Sequence, residues 1–277
     1  MKLYAVQLCS SSSLETNLAM LRQVMAPLSE VSGPKLVVLP ECVMSFDGEP
    51  DAMATLSEPL GEGSMQRALS QLAQEHRCTL VAGTIPIHAP DGRFYASCLV
   101  FDDTGRRIGH YNKLHLFDVD VADGVGRYRE SDTTAPGQHV EVIDTPLGKL
   151  GIAVCYDVRF PELFRAMVAN GAQIIALPSA FTQVTGEAHW QPLLQARAIE
   201  NQCYLIAANQ GGTHDHGRMT WGQSMIVSPW GEVLAQAQQS PSMVMASFDA
   251  DKIHQIRQQM PTQQHIRMPI TAAQLKK

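Results

Sequence analysis

Short β-branched runs alternate with stretches of helical periodicity along the first third of the chain. Lys2–Leu8 has strand character, and Leu14–Leu28 places Leu14, Leu18, Leu21, Val24 and Met25 at helical spacing. Lys35–Leu39 reads as a buried strand that stops at Pro40, and Met65–His76 gathers Leu69, Leu72 and Ala73 on one side of a helix. Thr79–Ile87, Ser97–Phe101 and Arg107–Tyr111 follow as strands, separated by the turn signals Pro90-Asp91-Gly92 and Asp103-Thr104-Gly105. Periodicity then fades. Asn112–Gln138 is polar and glycine-containing, and a loop of that length inside a compact domain is usually functional or disordered.

The pattern resumes with strands at Val140–Asp144 and Leu150–Val154. The helix Pro161–Asn170 has Pro in its first turn and Gly171 just past its end. Ile174–Leu177 is a strand, and a helix at Trp190–Asn201 is entered through His189 with Pro192 early in it. Tyr204–Ala208, Ser224–Val227, Val233–Gln236 and Val244–Phe248 close the sheet region around a Pro229-Trp230-Gly231 turn, before a last helix at Lys252–Gln259 and a polar tail from about 261 to 277. Leu-Val-Val-Leu-Pro at 36–40 echoes Ile-Ile-Ala-Leu-Pro at 174–178, and no repeat of solenoid period is present. The expectation is an α/β fold in one domain over 1–277, with two packed sheets and helices outside.

Composition sharpens this picture. Hydrophobic residues make up 45% and charged residues 17%, a foldable mixture. A net charge of −6 argues against a general binder of nucleic acid or of anionic membranes, and leaves room for a local basic pocket. No apolar run approaches the ~18–20 residues of a membrane helix. Gln7 interrupts the first apolar run, which is then too short for a secretory core of ~7–15 residues; a cytoplasmic location is expected. The six cysteines form no CxxC pair, so free thiols are expected, most of them buried as small apolar residues.

In open α/β sheets, reactive groups gather past the carboxyl ends of strands. Glu41 follows the run ending at Pro40, Cys155 follows Gly151-Ile152-Ala153-Val154, and Lys113 opens the long loop. Taken singly, Glu41 reads as a strand-end cap, Cys155 as an inert thiol and Lys113 as a solvated lysine. Together they sort into roles. A carboxylate can take a thiol proton and later activate water. Nearby positive charge, or the amides of the helix starting at Pro161, can lower a thiol pKa. An ammonium with backbone N–H groups can hold an oxyanion. Glu130, within the long loop, could orient the lysine.

These residues are similar to the nitrilase superfamily of carbon–nitrogen hydrolases. The resemblance is carried by Leu39-Pro40-Glu41, by Tyr111-Asn112-Lys113-Leu114-His115-Leu116-Phe117, and by Val154-Cys155-Tyr156-Asp157-Val158-Arg159-Phe160-Pro161-Glu162-Leu163. It spans nearly the whole chain, and the motifs arrive in family order. It implies a four-layer α-β-β-α sandwich and a Glu41–Lys113–Cys155 triad, with Glu130 in Arg129-Glu130-Ser131 matching an accessory glutamate. Thr185-Gly186-Glu187-Ala188-His189-Trp190, Ala196–Tyr204 and Trp221–Gly231 resemble the Nit-type amidase branch. By this resemblance Cys155 attacks an amide carbonyl, Glu41 is the base, and Lys113 and the Tyr156 N–H hold the oxyanion. The resemblance also implies that Phe181, Thr185 and His189 line the pocket, that the chain forms a homodimer, and that neither metal nor other cofactor takes part.

Arg159, four residues after Cys155, reads two ways: as a fork for a substrate carboxylate, or as a structural partner of Glu162. In the first case the substrate is a small ω-amide or γ-glutamyl-like amide bearing a carboxylate. Deaminated glutathione fits, as does α-ketoglutaramate; a non-catalytic binding scaffold is the reading from another class. His214-Asp215-His216 lacks a third ligand at metal spacing and reads as a solvated loop. His115 reads as a hydrogen-bond partner that positions its loop. Gly61-Glu62-Gly63 and Gly124-Val125-Gly126 lack the spacing of a phosphate loop.

Overall fold

The computed structural model describes residues 1–46, 52–122 and 126–268; Gly124, Val125 and the tail from 269 to 277 lie outside the described residues. The strands in chain order are β1 (Lys2–Gln7), β2 (Lys35–Val38), β3 (Thr79–His88), β4 (Phe94–Phe101), β5 (Arg107–Asn112), β6 (Asp118–Val121), β7 (Gly126–Arg129) and β8 (Val142–Thr145). They continue with β9 (Gly148–Ile152), β10 (Ile174–Ser179), β11 (Tyr204–Asn209), β12 (Gly211–Thr213), β13 (Met219–Trp221), β14 (Met225–Val227), β15 (Val233–Gln236) and β16 (Ser242–Ser247). The helices are α1 (Leu14–Met25), α2 (Ala52–Leu56), α3 (Ser64–His76), α4 (Pro161–Ala169), α5 (Gln183–Asn201) and α6 (Ala250–Gln259).

Two six-stranded sheets carry the fold, in the orders β16-β1-β2-β3-β4-β5 and β15-β14-β11-β10-β9-β8. Each has a parallel centre, β1-β2-β3 and β9-β10-β11, flanked by antiparallel pairs. The echoing runs at 36–40 and 174–178 are thus the middle strands of two equivalent triplets. Period-2 geometry explains why their sequences are apolar throughout. Leu3, Ala5, Leu36 and Val38 face the second sheet, while Tyr4, Val6, Val37 and Leu39 pack with Leu21, Met25, Leu69 and Leu72 of α1 and α3. On the far side, Phe164 and Met167 of α4 and Trp190, Leu194 and Ala198 of α5 cover the second sheet. The layers are α-β-β-α, as expected.

Two segments differ from the sequence reading. Asn112–Gln138 is not structureless: β6 and β7 pair from Asp118↔Arg129 to Val121↔Gly126, and a 3-10 turn follows at Glu130–Asp132. Neither strand has a buried face, so no hydrophobic alternation marks them; an Arg129–Asp120 pair at 3.1 Å crosses the hairpin instead. The second helix of the second half starts at Gln183, capped by Thr182, and Pro192 lies in its interior. Gly186 obscures this early turn. It is a poor helix former, but a Cβ there would run into Trp221, so the close approach of the β13 strand requires it.

The two sheets meet where their middle strands end. The Glu41 N–H donates to the Ser179 carbonyl at 3.3 Å, and Gln210 Nε2 donates to the Glu41 carbonyl at 2.9 Å. β3 is irregular between Ala82 and Thr84, and a Cβ on the intervening Gly83 would overlap the carbonyl of Pro40. The Thr84 hydroxyl accepts the Cys42 N–H at 2.9 Å. The turn that presents Glu41 therefore rests on a side-chain-free notch in β3. Gly83→Ala is expected to destabilise the fold by about 1–3 kcal/mol, the range for overpacking a filled site. The check is a lower urea midpoint with an unchanged m value.

Candidate active site

A cavity of about 350 Å³ opens at these strand ends, and Glu41, Lys113, Glu130, Cys155, Arg159 and Phe181 are among its walls. At its floor the Lys113 ammonium, 2% exposed, donates to Glu41 Oε1 at 2.8 Å and to Glu130 Oε2 and Oε1 at 2.8 and 3.0 Å. Burial works against this charge, but the Glu130 and Glu41 carboxylates outweigh it and hold the lysine pKa well above its usual value. Glu130 is itself raised by burial, with Lys113 opposing and Glu41 adding to the shift. Its Oε2 also accepts the Phe117 N–H at 2.7 Å, which fixes it to the loop.

Cys155 stands at the end of β9 with φ +48°, a left-handed conformation rare for a residue with a side chain. Val154 before it is still extended, and the 3-10 turn Cys155–Arg159 follows, so the chain folds sharply and points the sulfur into the cavity. Burial and the Glu41 carboxylate, which the thiol meets by a hydrogen bond, push its pKa well above the ordinary value; Lys113 and the N–H of Ala180 pull the other way. One expectation changes here. The amide that reaches the sulfur belongs to Ala180, just past β10, in place of the α4 terminus.

Asp157, two residues on, is a group that the sequence reading did not single out. Its carboxylate is fully buried. It accepts the Tyr111 hydroxyl at 2.7 Å, the Val154 N–H at 2.8 Å, the His115 N–H at 3.0 Å and His115 Nδ1 at 2.7 Å. The His115 ring stacks on Phe160 with centroids 3.6 Å apart. One carboxylate thereby ties the turn that carries Cys155 to the loop that carries Lys113. The available signal was an acid inside an otherwise apolar strand-end motif.

Of the candidate binding residues, Tyr156, Arg159, Phe181 and Thr185 line the cavity. His189, expected to line the pocket, is not among the cavity's lining residues; it is exposed, with its Nδ1 3.3 Å from both terminal nitrogens of the Arg159 guanidinium. Arg159 lies 5.8 Å from the Tyr156 ring and 5.5 Å from that of Phe181. Glu162 is not its partner among the described ion pairs. The reading of His214-Asp215-His216 as solvated fails for His214, which is buried. Its ring contacts the Ser10 carbonyl at 2.8 Å and the Thr220 hydroxyl at 2.7 Å, and it packs 4.1 Å from Phe46. Among the described residues, no helix is long and apolar enough to cross a membrane.

The class that this fold and cluster define is a sandwich hydrolase with a thiol in its cavity. The family model for carbon–nitrogen hydrolases matches residues 2–258, and the chain belongs to that family. It is 43% identical over 265 residues to the deaminated glutathione amidase of Yersinia enterocolitica, across 95% of this chain and 91% of that protein. It is 37% identical over 245 residues to an omega-amidase of Xenopus tropicalis, across 88% of this chain and 87% of that one. Its fold follows the crystal structure of the C. elegans NitFhit protein with a TM-score of 0.87 and 36% identity over 96% of this chain. The chain spans 65% of that protein's length.

Replacing Asp157 with Ala strands the buried Tyr111 hydroxyl and Val154 N–H. The expected cost is at least about 2 kcal/mol of stability, together with loss of turnover, since the two loops lose their common anchor. Urea unfolding and amide hydrolysis measured on one preparation check both.

Proposed function

We propose that this chain is a cysteine amidase acting on a small carboxylate-bearing amide, with deaminated glutathione as its substrate. The observation that carries this reading is the meeting of Cys155, Glu41 and Lys113 in one cavity beneath a guanidinium. Glu41 accepts the thiol proton as the Cys155 sulfur attacks the amide carbonyl. The oxyanion that forms is held by the Lys113 ammonium and the Tyr156 N–H. Glu130 keeps Lys113 charged and aimed. Collapse breaks the C–N bond, Glu41 returns its proton to the departing nitrogen, and a thioester remains on Cys155. Glu41 then takes a proton from water, which attacks the thioester and releases the acid and the thiol.

A raised thiol pKa suits this sequence. A neutral thiol beside a carboxylate stores the proton that the leaving amine needs, so no outside acid is required. Arg159 supplies selection, holding the carboxylate at the far end of the acyl group in a two-pronged contact, and His189 braces it. The similarity to an omega-amidase supports a second reading, in which the leaving group is ammonia and the substrate is α-ketoglutaramate.

Cys155→Ala is expected to melt within a few degrees of the parent and to release no amine. Mass spectrometry of a quenched wild-type reaction should find an acyl adduct on Cys155. Undiminished turnover in the variant rules the mechanism out. Arg159→Leu is expected to raise KM for carboxylate-bearing amides by roughly tenfold or more, given ~1.5–3 kcal/mol for a hydrogen bond to a charged group, while leaving simple amides nearly unchanged. Steady-state kinetics on the two substrate types separate these outcomes.

A further inference from the structure

Glu130 has to be held still for Lys113 to be aimed, yet packing does not hold it. It opens the 3-10 turn Glu130–Asp132, in which no residue is buried. Its carboxylate nonetheless keeps three hydrogen bonds, two to the Lys113 ammonium and one to the Phe117 N–H. A side chain can keep that geometry only if its backbone is fixed by other means.

Arg93 supplies such a means. It lies between β3 and β4, just before Phe94, and it does not line the cavity. Its Nη1 donates to the Ser131 carbonyl at 2.9 Å and to the Thr134 carbonyl at 3.2 Å. The Glu130 carbonyl accepts the N–H groups of Thr133 at 3.3 Å and Thr134 at 2.9 Å, so Arg93 fastens the same turn that Glu130 opens. The other edge of the guanidinium is committed to Asp91. Nε and Nη2 both donate to Asp91 Oδ2, at 2.9 and 2.6 Å, and the Arg93 N–H donates to Asp91 Oδ1 at 3.1 Å. Asp91 thereby fixes the plane of the guanidinium, and the rigid fork directs Nη1 at the turn.

Stability of the ion pair does not account for this arrangement. The Arg93 and Asp91 side chains are 34% and 47% exposed, and a pair so open to water adds little to the fold. The two contacts from Nη1 reach 38 and 41 residues along the chain instead. They also join the turn to the strand that holds the lysine. The Lys113 N–H donates to the Ala96 carbonyl of β4 at 3.0 Å, and the Phe94 N–H of the same strand donates to the Thr133 carbonyl at 3.2 Å. The first residues of β4 thus hold the backbone of Lys113 and the far end of the Glu130 turn, and Arg93 adds Ser131, the residue next to Glu130.

We infer that Arg93, from outside the cavity, is a positioning residue that sets the Glu130 carboxylate against the Lys113 ammonium. This rests on the amidase reading, in which Glu130 keeps Lys113 charged and aimed at the oxyanion, and goes beyond it by making turnover depend on a half-exposed pair that touches no substrate. Without Arg93 the turn drifts from β4 and Lys113 loses its orienting partner. Arg159 is untouched, so the loss falls on kcat and spares KM.

Arg93→Leu, Glu130→Gln and the double variant test it, with deaminated glutathione and α-ketoglutaramate as substrates. Arg93→Leu should melt within a few degrees of the parent, lower kcat by roughly tenfold or more, and change KM by less than about threefold; a misplacement of about 1 Å can cost ~100-fold in rate. In the Glu130→Gln background the same substitution should change kcat by less than about twofold, because its effect passes through that carboxylate. The alkaline limb of kcat should also move to lower pH in Arg93→Leu, since a loosened Glu130 holds the Lys113 proton less firmly. An unchanged kcat, a loss confined to KM, or an equal loss in both backgrounds overturns the inference. Where Glu130→Gln leaves no measurable turnover, the alkaline limb of Arg93→Leu decides, and an unmoved limb overturns it. Should Arg93→Leu not fold, the same measurements on Arg93→Lys, which keeps the charge but cannot hold Asp91 and both carbonyls at once, decide by the same criteria. If the wild-type protein cleaves neither substrate, it is the amidase reading that fails, and this inference with it.

Discussion

The site depends on one buried ammonium held between two carboxylates. Lys113 could not stay charged at 2% exposure without Glu41 and Glu130 at 2.8 Å, and neither acid could stay ionised so close to the other without the lysine. The cluster carries one positive and two negative charges, and the deficit falls on the neighbouring thiol. Cys155 is kept protonated by that excess negative charge as well as by burial. An arrangement that activated the sulfur by positive charge alone would need no base. This one holds the sulfur neutral and places the base within a hydrogen bond of it, which couples deprotonation to attack under the proposed mechanism.

The fold makes this cluster by bringing strand ends together. Glu41 leaves β2, Lys113 leaves β5, and Cys155 leaves β9, so three separate chain segments reach one point only because two sheets are stacked with their middle strands facing. The hydrogen bond from the Glu41 N–H to the Ser179 carbonyl joins the two sheets there. Asp157 then sets the distance between the thiol turn and the lysine loop. Rigidity is concentrated in backbone and buried carboxylate contacts, and the side chains that face substrate stand on top of them.

Legibility in the sequence followed burial. Strands with both faces packed, such as Lys35–Val38 and Ile174–Ser179, wrote themselves as unbroken apolar runs. The β6–β7 hairpin and the β12–β13 pair have exposed or half-exposed faces and left no period to detect. Glu41, Lys113, Cys155 and Glu130 were found because they sit at strand ends and match a family pattern. Asp157 was not, since a buried acceptor shared by two loops is a product of tertiary structure. The α5 start was misplaced because Gly186 and Pro192 carry local signals that oppose the helix, and packing against Trp221 overrides the first of them.

Electrostatics tie the local and global observations together. A protein with net charge −6 repels small anions at long range, yet among the described residues its cavity is lined by more cationic than acidic side chains. Screening limits the repulsion to about 8 Å at physiological ionic strength, so it weighs little against contacts made inside the cavity. Within that space Arg159 rests against the Tyr156 and Phe181 rings, and Arg218 against those of Phe46 and Tyr128. The Glu41–Lys113–Glu130 cluster is held together by its own ion pairs and does not draw on Arg159. Under the proposed reading, substrate charge is read by Arg159, a group that takes no part in proton transfer, and the buried cluster is left to the chemistry of the amide itself.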